Sequence, residues 1–261
     1  RFAEFIPPEN FLVVTNSTYR ELVLEQLPEL APHQILAEPL GRNTAPCIAY
    51  AAFRLKATDP DSTMIVTPSD HLILNEPVFR NVMEEAVEFA SSHEALVTIG
   101  VQPTRPATGY GYIQVDRPMH RDGMNKVKTF TEKPNLELAK AFLASGDFFW
   151  NSGIFVWQTR TILDAMERLL PDTAQLFASI PDQELANHVR LRSGGDVLPI
   201  TSLYAEHGEQ HGYYFQLLLS ELLAHALERE CVYGVFRPHS GALTPELEDL
   251  LVRQGFTPHP G

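Results

Sequence analysis

The chain has 261 residues, of which 44% are hydrophobic and 20% are charged, the composition of an ordinary soluble globular protein. With 33 acidic residues against 20 basic ones, its net charge is −13. This charge argues against a nucleic-acid or membrane-surface partner, because both are negatively charged. A phosphorylated small substrate stays compatible, since it needs only a few local cations.

The sequence also carries information on the compartment. The two cysteines, Cys47 and Cys231, lie far apart without companions at metal-ligand spacing, so we expect no disulfide framework and a cytoplasmic location. No segment approaches the roughly 20 apolar residues of a membrane span, and no secretory signal is visible at the start. The sequence begins with Arg1 instead of Met, which suggests a fragment or a processed product.

In the first hundred residues, short apolar runs alternate with helical patterns. This alternation predicts βαβ units and a mostly parallel sheet flanked by helices. The expected strands are 11–15, 34–37, 64–67 and 95–100. Three helices are expected between them: the first ends near Leu27, the second ends near Lys56, and the third spans about 77–91.

Beyond Gly100 the pattern changes to half-exposed strands and shorter helices. Strands are expected at 108–115, 127–134 and 148–157, and helices at 136–144, 159–170 and after Pro171. From about residue 180 the signal weakens, with a turn at 192–196, helices at 214–229 and 245–254, and a strand at 232–236. We therefore predict an α/β domain over 1–180 and a C-terminal, α-rich segment of unknown role over 181–261.

The run Met64–Val66 breaks at Pro68 and is followed by Asp70 and His71. In an open α/β sheet, ligands bind outside the carboxyl ends of the strands. Asp70 could therefore hold a Mg²⁺ ion that bridges to substrate phosphates. The alternative is that Asp70 simply caps the next helix, since Asp is a preferred N-cap residue.

Four other stretches contain residues that could bind phosphate or hydroxyl groups of a ligand. Each stretch also has a purely structural interpretation as a loop or turn. Arg42 can clamp a phosphate in a bidentate way, and Gly111 permits close approach of a ligand to the backbone. Glu132 can accept hydrogen bonds from sugar hydroxyls, Lys133 suits a phosphate oxygen, and the Asn151 amide can bind a hydroxyl.

Taken in order, these stretches resemble those of the mannose-1-phosphate guanylyltransferases, a branch of the sugar nucleotidyltransferases. The resemblance covers about residues 9–180 and implies a Rossmann-like, mixed sheet of the nucleotide-diphospho-sugar transferase type. The stretches that carry it are Glu38–Pro46, Pro68–His71, Gly109–Ile113, Phe130–Pro134 and Trp150–Phe155.

The resemblance implies that mannose 1-phosphate attacks the α-phosphorus of GTP, giving GDP-mannose and pyrophosphate. Asp70 would be the catalytic ligand of Mg²⁺, and Lys133 would bind a phosphate. The nucleotide would lie near Glu38, Arg42, Asn43 and Thr44, and the mannose hydroxyls near Gly111, Glu132 and Asn151.

The chain also departs from this family. No Gly-x-Gly-x-Arg phosphate loop occurs before Phe11, and the family's second metal-binding Asp is not recognisable, so we expect an N-terminally truncated and inactive piece. A non-catalytic sugar-nucleotide-binding or regulatory module and a transferase for another sugar 1-phosphate stay open, as does a homodimer. His207 and His211, four residues apart, offer a weaker alternative as a metal site.

Overall fold

The computed structural model describes residues 2–38, 44–116 and 123–180, together with the backbone of 197–202 and 232–236. The strands in this part of the chain are β1 Leu12–Asn16, β2 Ile35–Glu38, β3 Thr63–Pro68, β4 Leu96–Val101, β5 Tyr112–Val115, β6 Met124–Thr131, β7 Phe148–Gln158, β8 Val197–Ser202 and β9 Val232–Phe236. The α-helices are α1 Arg20–Gln26, α2 Thr44–Lys56, α3 Glu76–Ser92, α4 Leu136–Ser145, α5 Thr159–Leu169 and α6 Pro171–Ala178.

The strands form a single mixed sheet in the order β2-β1-β8-β3-β7-β4-β9-β6-β5, with an additional β7–β5 pairing. Strand β8 is parallel to β1 and β3, β1 is parallel to β2, and β9 is parallel to β4. Strand β7 is antiparallel to β3, β4 and β5, and β6 is antiparallel to β5 and β9. Only β6 and β7 therefore oppose the common direction, which confirms the predicted mixed, mostly parallel sheet.

Alternation along the strands divides the apolar side chains between the two faces of the sheet. Val14 and Trp157 pack with Ile48 of α2 and Met166 of α5 on one face, which we call the α2 face. On the other face, Ile65 and its neighbours pack against α3. Burying each such side chain stabilises the fold by roughly 1.5–3 kcal/mol, so both layers of helices are held to the sheet by their apolar sides.

Helix α3 shows how the local sequence sets its limits. Val82, Met83 and Ala86 are buried at spacings of three and four residues, which places them on one side of a helix. The helix starts at Glu76, where the Asn75 side chain accepts a hydrogen bond from Val78 N. Asn75 and not Asp70 is therefore the N-cap, and the capping interpretation of Asp70 is wrong.

Most predicted elements of the first 180 residues are confirmed to within a few residues. The strand expected over 108–115 starts only at Tyr112, because Thr108–Tyr110 form an exposed loop. The strand at 232–236 is confirmed as β9. The turn at 192–196 and the helices at 214–229 and 245–254 lie outside the described residues. Within the described ranges, no helix is both long and apolar enough to cross a membrane.

Strand β8 was not predicted, although it lies near the centre of the sheet. It pairs with β1 over Leu12–Val14 and with β3 over Thr63–Pro68. Pro199 within it argues against a central strand, because proline lacks the N–H that such a strand donates. Strands β8 and β9 come from the predicted C-terminal segment, and the division at residue 180 stays a prediction.

Candidate functional site

The candidate site lies at the carboxyl edge of the parallel strands. Strands β1, β2 and β3 end there at Asn16, Glu38 and Pro68. Strand β1 leads through α1 to β2 on one side of it, whereas β3 lies on its other side beyond β8. The strand order thus reverses next to β1, and ligands of open α/β sheets bind at such a reversal.

Gly111, Glu132 and Asn151 are brought together by strand pairing. The Asn151 amide N–H donates to the Gly111 carbonyl oxygen at 2.8 Å. A Cβ atom added to Gly111 would lie 2.9 Å from Glu132 Oε2 and 3.9 Å from Asn151 Nδ2. Three residues that are 19 or more positions apart therefore form one small polar pocket, which we call the Gly111 pocket. Its space exists only because residue 111 has no side chain.

The Glu132 carboxylate is held in this pocket without a hydrogen-bond donor for its buried oxygen. Oε1 is buried and has no hydrogen-bond partner. Burial raises the pKa of Glu132, and the neighbouring Lys133 ammonium partly offsets that rise. A buried acceptor without a donor costs about 1–3 kcal/mol, a cost that a hydroxyl-bearing ligand would remove.

Lys133, next to Glu132, has a strained backbone. Its φ angle of 38° is the one positive value among non-glycine residues in the described ranges. A left-handed backbone costs an ordinary residue roughly 1–2 kcal/mol. Strain of this kind concentrates at functional sites. The Lys133 side chain is exposed, so its ammonium is available to a ligand.

The amide of Asn151 is oriented by its neighbours. Its Oδ1 accepts hydrogen bonds from Gly153 N at 3.1 Å and from Thr98 Oγ1 at 3.5 Å. Nδ2, the remaining donor, has no acceptor among the described residues and faces the Gly111 pocket. Gly153 adopts a left-handed φ of 72°, and a Cβ there would lie 3.4 Å from Pro68 Cγ, so this turn also contacts the end of β3.

Asp70 lies just beyond that contact, in the loop after β3, and its side chain is exposed. Among the described residues, no group of three or more His, Cys, Asp or Glu side chains could hold a metal ion. Mg²⁺ is nevertheless commonly bound by one or two carboxylates together with substrate phosphates and waters. The exposed Asp70 fits that kind of site and does not fit a cage made by the protein alone.

Glu38 and Thr44 lie at the other end of the edge, between β2 and α2. Burial raises the pKa of the Glu38 carboxyl from 4.5 to about 7. The pKa of the buried Cys47 thiol on α2 is raised by burial and by the charge of Glu38, so this carboxylate lies close to the first turns of α2. Thr44 is the first residue of α2 and is buried. Arg42 and Asn43 lie outside the described residues.

The predicted residues therefore form two groups with Asp70 between them. The carboxyl end of β2 and the amino-terminal part of the antiparallel strand β7, which contains Asn151, are four strand spacings apart, roughly 19 Å. One further residue that was not among the predicted site residues, Asn16, also lies at this edge, opposite Glu38. Its position after the apolar run Leu12–Val14 was the available signal, the same one that pointed to Asp70.

Residues 7–197 match the family model described as nucleotidyl transferase. The chain belongs to this family. The match begins before β1 and ends at the first residue of β8. It therefore includes both the Gly111 pocket and the Glu38 end of the site.

Among curated nucleotidyl transferase relatives, the mannose-1-phosphate guanylyltransferase of Klebsiella pneumoniae is 41% identical over 165 residues, which are 62% of this chain and 35% of that protein. The xanthan biosynthesis protein XanB of Xanthomonas campestris pv. campestris is also 41% identical over 165 residues, 34% of its length. This chain thus spans about a third of the length of the curated relatives it matches.

Solved structures share the fold. A Thermus thermophilus protein described as a mannose-1-phosphate geranyltransferase superposes with a TM-score of 0.65 at 23% identity, over 90% of this chain and 61% of that one. A Helicobacter pylori protein described as a mannose-6-phosphate isomerase superposes with a TM-score of 0.56 at 30% identity, over 75% of this chain and 83% of that one. These superpositions agree with the mixed sheet and its flanking helices.

Proposed function

We propose that this chain is part of an enzyme that transfers GMP from GTP to mannose 1-phosphate, giving GDP-mannose and pyrophosphate. The names of the curated relatives support this substrate pair. The observation that carries the proposal is the Gly111 pocket, where Glu132 and Asn151 present an acceptor and a donor around a space left by glycine.

The pocket suits the hydroxyl groups of a sugar. A sugar hydroxyl both donates and accepts hydrogen bonds, so neighbouring hydroxyls can donate to the Glu132 carboxylate and accept from Asn151 Nδ2. The buried, unpartnered Oε1 of Glu132 gains a donor in this way. Because Gly111 has no Cβ, the sugar ring can approach the backbone closely.

The reaction needs no protein nucleophile. An oxygen of the sugar phosphate attacks the α-phosphorus of GTP, and the bond from that phosphorus to the bridging oxygen of pyrophosphate breaks. Catalysis then rests on in-line positioning and on neutralising charge at phosphorus. Lys133, exposed beside the pocket, would hold the phosphate of the sugar, and Asp70 would hold Mg²⁺, which supplies charge neutralisation at the phosphates when bound.

The nucleotide would occupy the other end of the edge. Glu38 and Thr44 flank the start of α2, and the N-terminus of a helix favours an anion through its free N–H groups. Arg42 and Asn43, which precede α2 in the sequence, would add a guanidinium and an amide. The two ends of the site thereby match the two ends of a nucleotide sugar.

A non-catalytic binding module is the second candidate function. The Gly111 pocket alone would serve it, because Glu132 and Asn151 present an acceptor and a donor around the space beside Gly111. A binding module would keep the Gly111 pocket and bind the product without turnover.

The test is pyrophosphate release from GTP and mannose 1-phosphate with Mg²⁺, measured together with calorimetric binding of GDP-mannose. In a complete version of the protein, Asp70→Asn and Lys133→Ala should each abolish release, whereas the exposed helix residue Asp172 changed to Asn should leave it unaltered. Binding of GDP-mannose without turnover supports the module instead. Wild-type rates in Asp70→Asn and Lys133→Ala would disprove the proposed roles.

A further inference from the structure

Asn16 and Glu38 lie side by side at the carboxyl edge. They are the last residues of the parallel strands β1 and β2 and are directly paired in register. Neighbouring strands are about 4.8 Å apart, and paired residues project from the same face. Val14 and Leu36, two residues earlier on each strand, belong to the core of the α2 face. The two polar side chains therefore share that face, beyond the end of its apolar core.

The orientation of the Asn16 amide is set by its own turn. Oδ1 accepts hydrogen bonds from Thr18 N and from Thr18 Oγ1, both at 2.9 Å. Because these two donors require an oxygen, the amide nitrogen points elsewhere. Nδ2 has no acceptor within the part of the chain that the structure describes.

Glu38 complements this free donor with free acceptors. Its carboxylate receives no hydrogen bond from any described residue, and it is half-buried at the end of β2. A donor and a two-oxygen acceptor thus lie at adjacent register positions, and no described residue hydrogen-bonds to either of them. Neither contributes to the Gly111 pocket, since its Asn151 lies on β7, three strand spacings from β1 and four from β2.

This arrangement matches one edge of a particular base. Guanine carries a carbonyl acceptor, O6, next to an N1–H donor and an exocyclic N2 donor, whereas adenine carries an amino donor in the place of O6. An amide nitrogen can donate to O6, and a carboxylate can accept from N1–H and N2–H. Adenine would place its amino group against the Asn16 donor and leave both Glu38 oxygens unpaired, because its N1 carries no hydrogen and it has no N2 amino group.

We propose that Asn16 and Glu38 select the base of the nucleotide, with Asn16 Nδ2 donating to O6 of a 6-oxopurine and the Glu38 carboxylate accepting from N1–H and N2–H. This rests on the proposed function for the presence of a nucleotide. It adds Asn16 as a specificity-determining residue next to Glu38 and assigns each hydrogen bond to an atom.

The experiment compares the calorimetric affinities of GDP, IDP and ADP for the full chain and its variants. Asn16→Asp replaces the amide nitrogen by oxygen but keeps an acceptor for Thr18 N, and Asn16→Ser removes the amide without adding charge. Both should weaken GDP and IDP alike, by about tenfold, because both bases carry O6 and each loses the hydrogen bond from the Asn16 amide. ADP affinity should not fall with them.

Glu38→Gln should give a different pattern. IDP lacks the N2 amino group, so the preference of the wild-type chain for GDP over IDP should narrow in this variant. Asn75→Asp is the matched control, because Asn75 is also an N-cap whose Oδ1 accepts from a backbone N–H but lies on the loop before α3. It should leave all three affinities within about twofold of wild type.

Two results would overturn the inference. If the wild-type chain prefers GDP to ADP but both Asn16 variants keep that preference, Asn16 does not contact the base. If the wild-type chain shows no preference for GDP, the base pocket is not built for guanine. Failure of the proposed function is seen separately, because GDP carries no mannose, whereas mannose 1-phosphate carries no base and its binding reports on the Gly111 pocket and Lys133.

Discussion

Changing Gly111 to Ala is the sharpest perturbation of the Gly111 pocket. The added Cβ would lie 2.9 Å from Glu132 Oε2, closer than a carbon and an oxygen approach without a shift. Because the atom it meets is the end of a flexible side chain, the carboxylate can move aside and the fold survives. The displaced carboxylate and the methyl group then occupy the space in which we place a sugar hydroxyl.

The magnitude follows from the hydrogen bond that is lost. A hydrogen bond to a charged group contributes about 1.5–3 kcal/mol, and each 1.4 kcal/mol is a factor of ten in affinity, so mannose 1-phosphate should bind roughly 10- to 150-fold more weakly. Stability should change little, since the φ angle of Gly111 is not in the left-handed region. The free energy of unfolding should fall by less than about 1 kcal/mol or rise slightly, because alanine restricts the unfolded chain.

The chain provides a matched control two residues away. Gly109 lies in the same loop, and a Cβ added there would meet nothing within 4 Å. Calorimetric titration of mannose 1-phosphate into the wild type, Gly111→Ala and Gly109→Ala should show a loss only for Gly111→Ala. Urea unfolding of the same three proteins separates binding from folding.

A double-mutant cycle tests whether the methyl group at residue 111 acts through Glu132. If the methyl group acts by displacing the Glu132 carboxylate, then Gly111→Ala should cost much less affinity in a Glu132→Ala background than in the wild type. Equal losses in both backgrounds would show that the methyl group blocks the ligand without acting through Glu132. Wild-type affinity in Gly111→Ala, or an equal loss in Gly109→Ala, would refute the assignment of the pocket.

Three further predictions follow from particular residues. Gly153→Ala and Gly146→Ala should each lower the free energy of unfolding by about 1–2 kcal/mol, because both glycines have φ angles near 70° in the left-handed region. Only Gly153→Ala should also weaken mannose 1-phosphate binding, since Gly153 N donates to Asn151 Oδ1. Equal affinity of the two variants for mannose 1-phosphate would contradict this role of Gly153. Lys133→Gly should be more stable than Lys133→Ala by about 1 kcal/mol, because glycine adopts φ 38° without a Cβ penalty. Urea unfolding measures this difference in the free energy of unfolding. Equal stability of the two variants would mean that the backbone is not strained. Glu38, whose pKa is raised by burial from 4.5 to about 7, binds its proton more tightly in the folded chain, so its contribution to stability is fully present below about pH 4.5 and is lost as the pH rises through 7. Glu38→Gln should therefore gain stability relative to the wild type at pH 8 but not at pH 4.5, and the same gain at both values would exclude a perturbed carboxyl.

Local sequence was a good guide to single elements and to the chemistry at their ends. The apolar run before Asp70 predicted a strand, and β3 spans Thr63–Pro68. The glutamate and asparagine assigned to sugar hydroxyls follow or lie in β6 and β7, and both border the same pocket. The family resemblance contributed the order of these stretches, which no single stretch could supply.

Local sequence did not predict the structure of segments whose conformation depends on pairing with strands that are distant in the sequence. The loop at Thr108–Tyr110 looked like the start of a strand, but without partners for its backbone it stays exposed. Strand β8 contains a proline and comes from a region of weak pattern, yet β1 and β3 flank it on both sides. Its place comes from hydrogen bonds to two strands that lie far away in the sequence.

The sequence by itself determined which side chains follow each strand and hence which chemistry the sheet edge could carry. Tertiary structure alone decided which of them meet: the β5, β6 and β7 pairings place Glu132 within 3 Å of the space beside Gly111, and the register of β1 with β2 sets Asn16 beside Glu38. The unpartnered Glu132 oxygen and the raised pKa of Glu38 likewise depend on burial by distant residues. Register and burial are properties of contacts between segments, and the neighbours of a residue along the chain do not encode them.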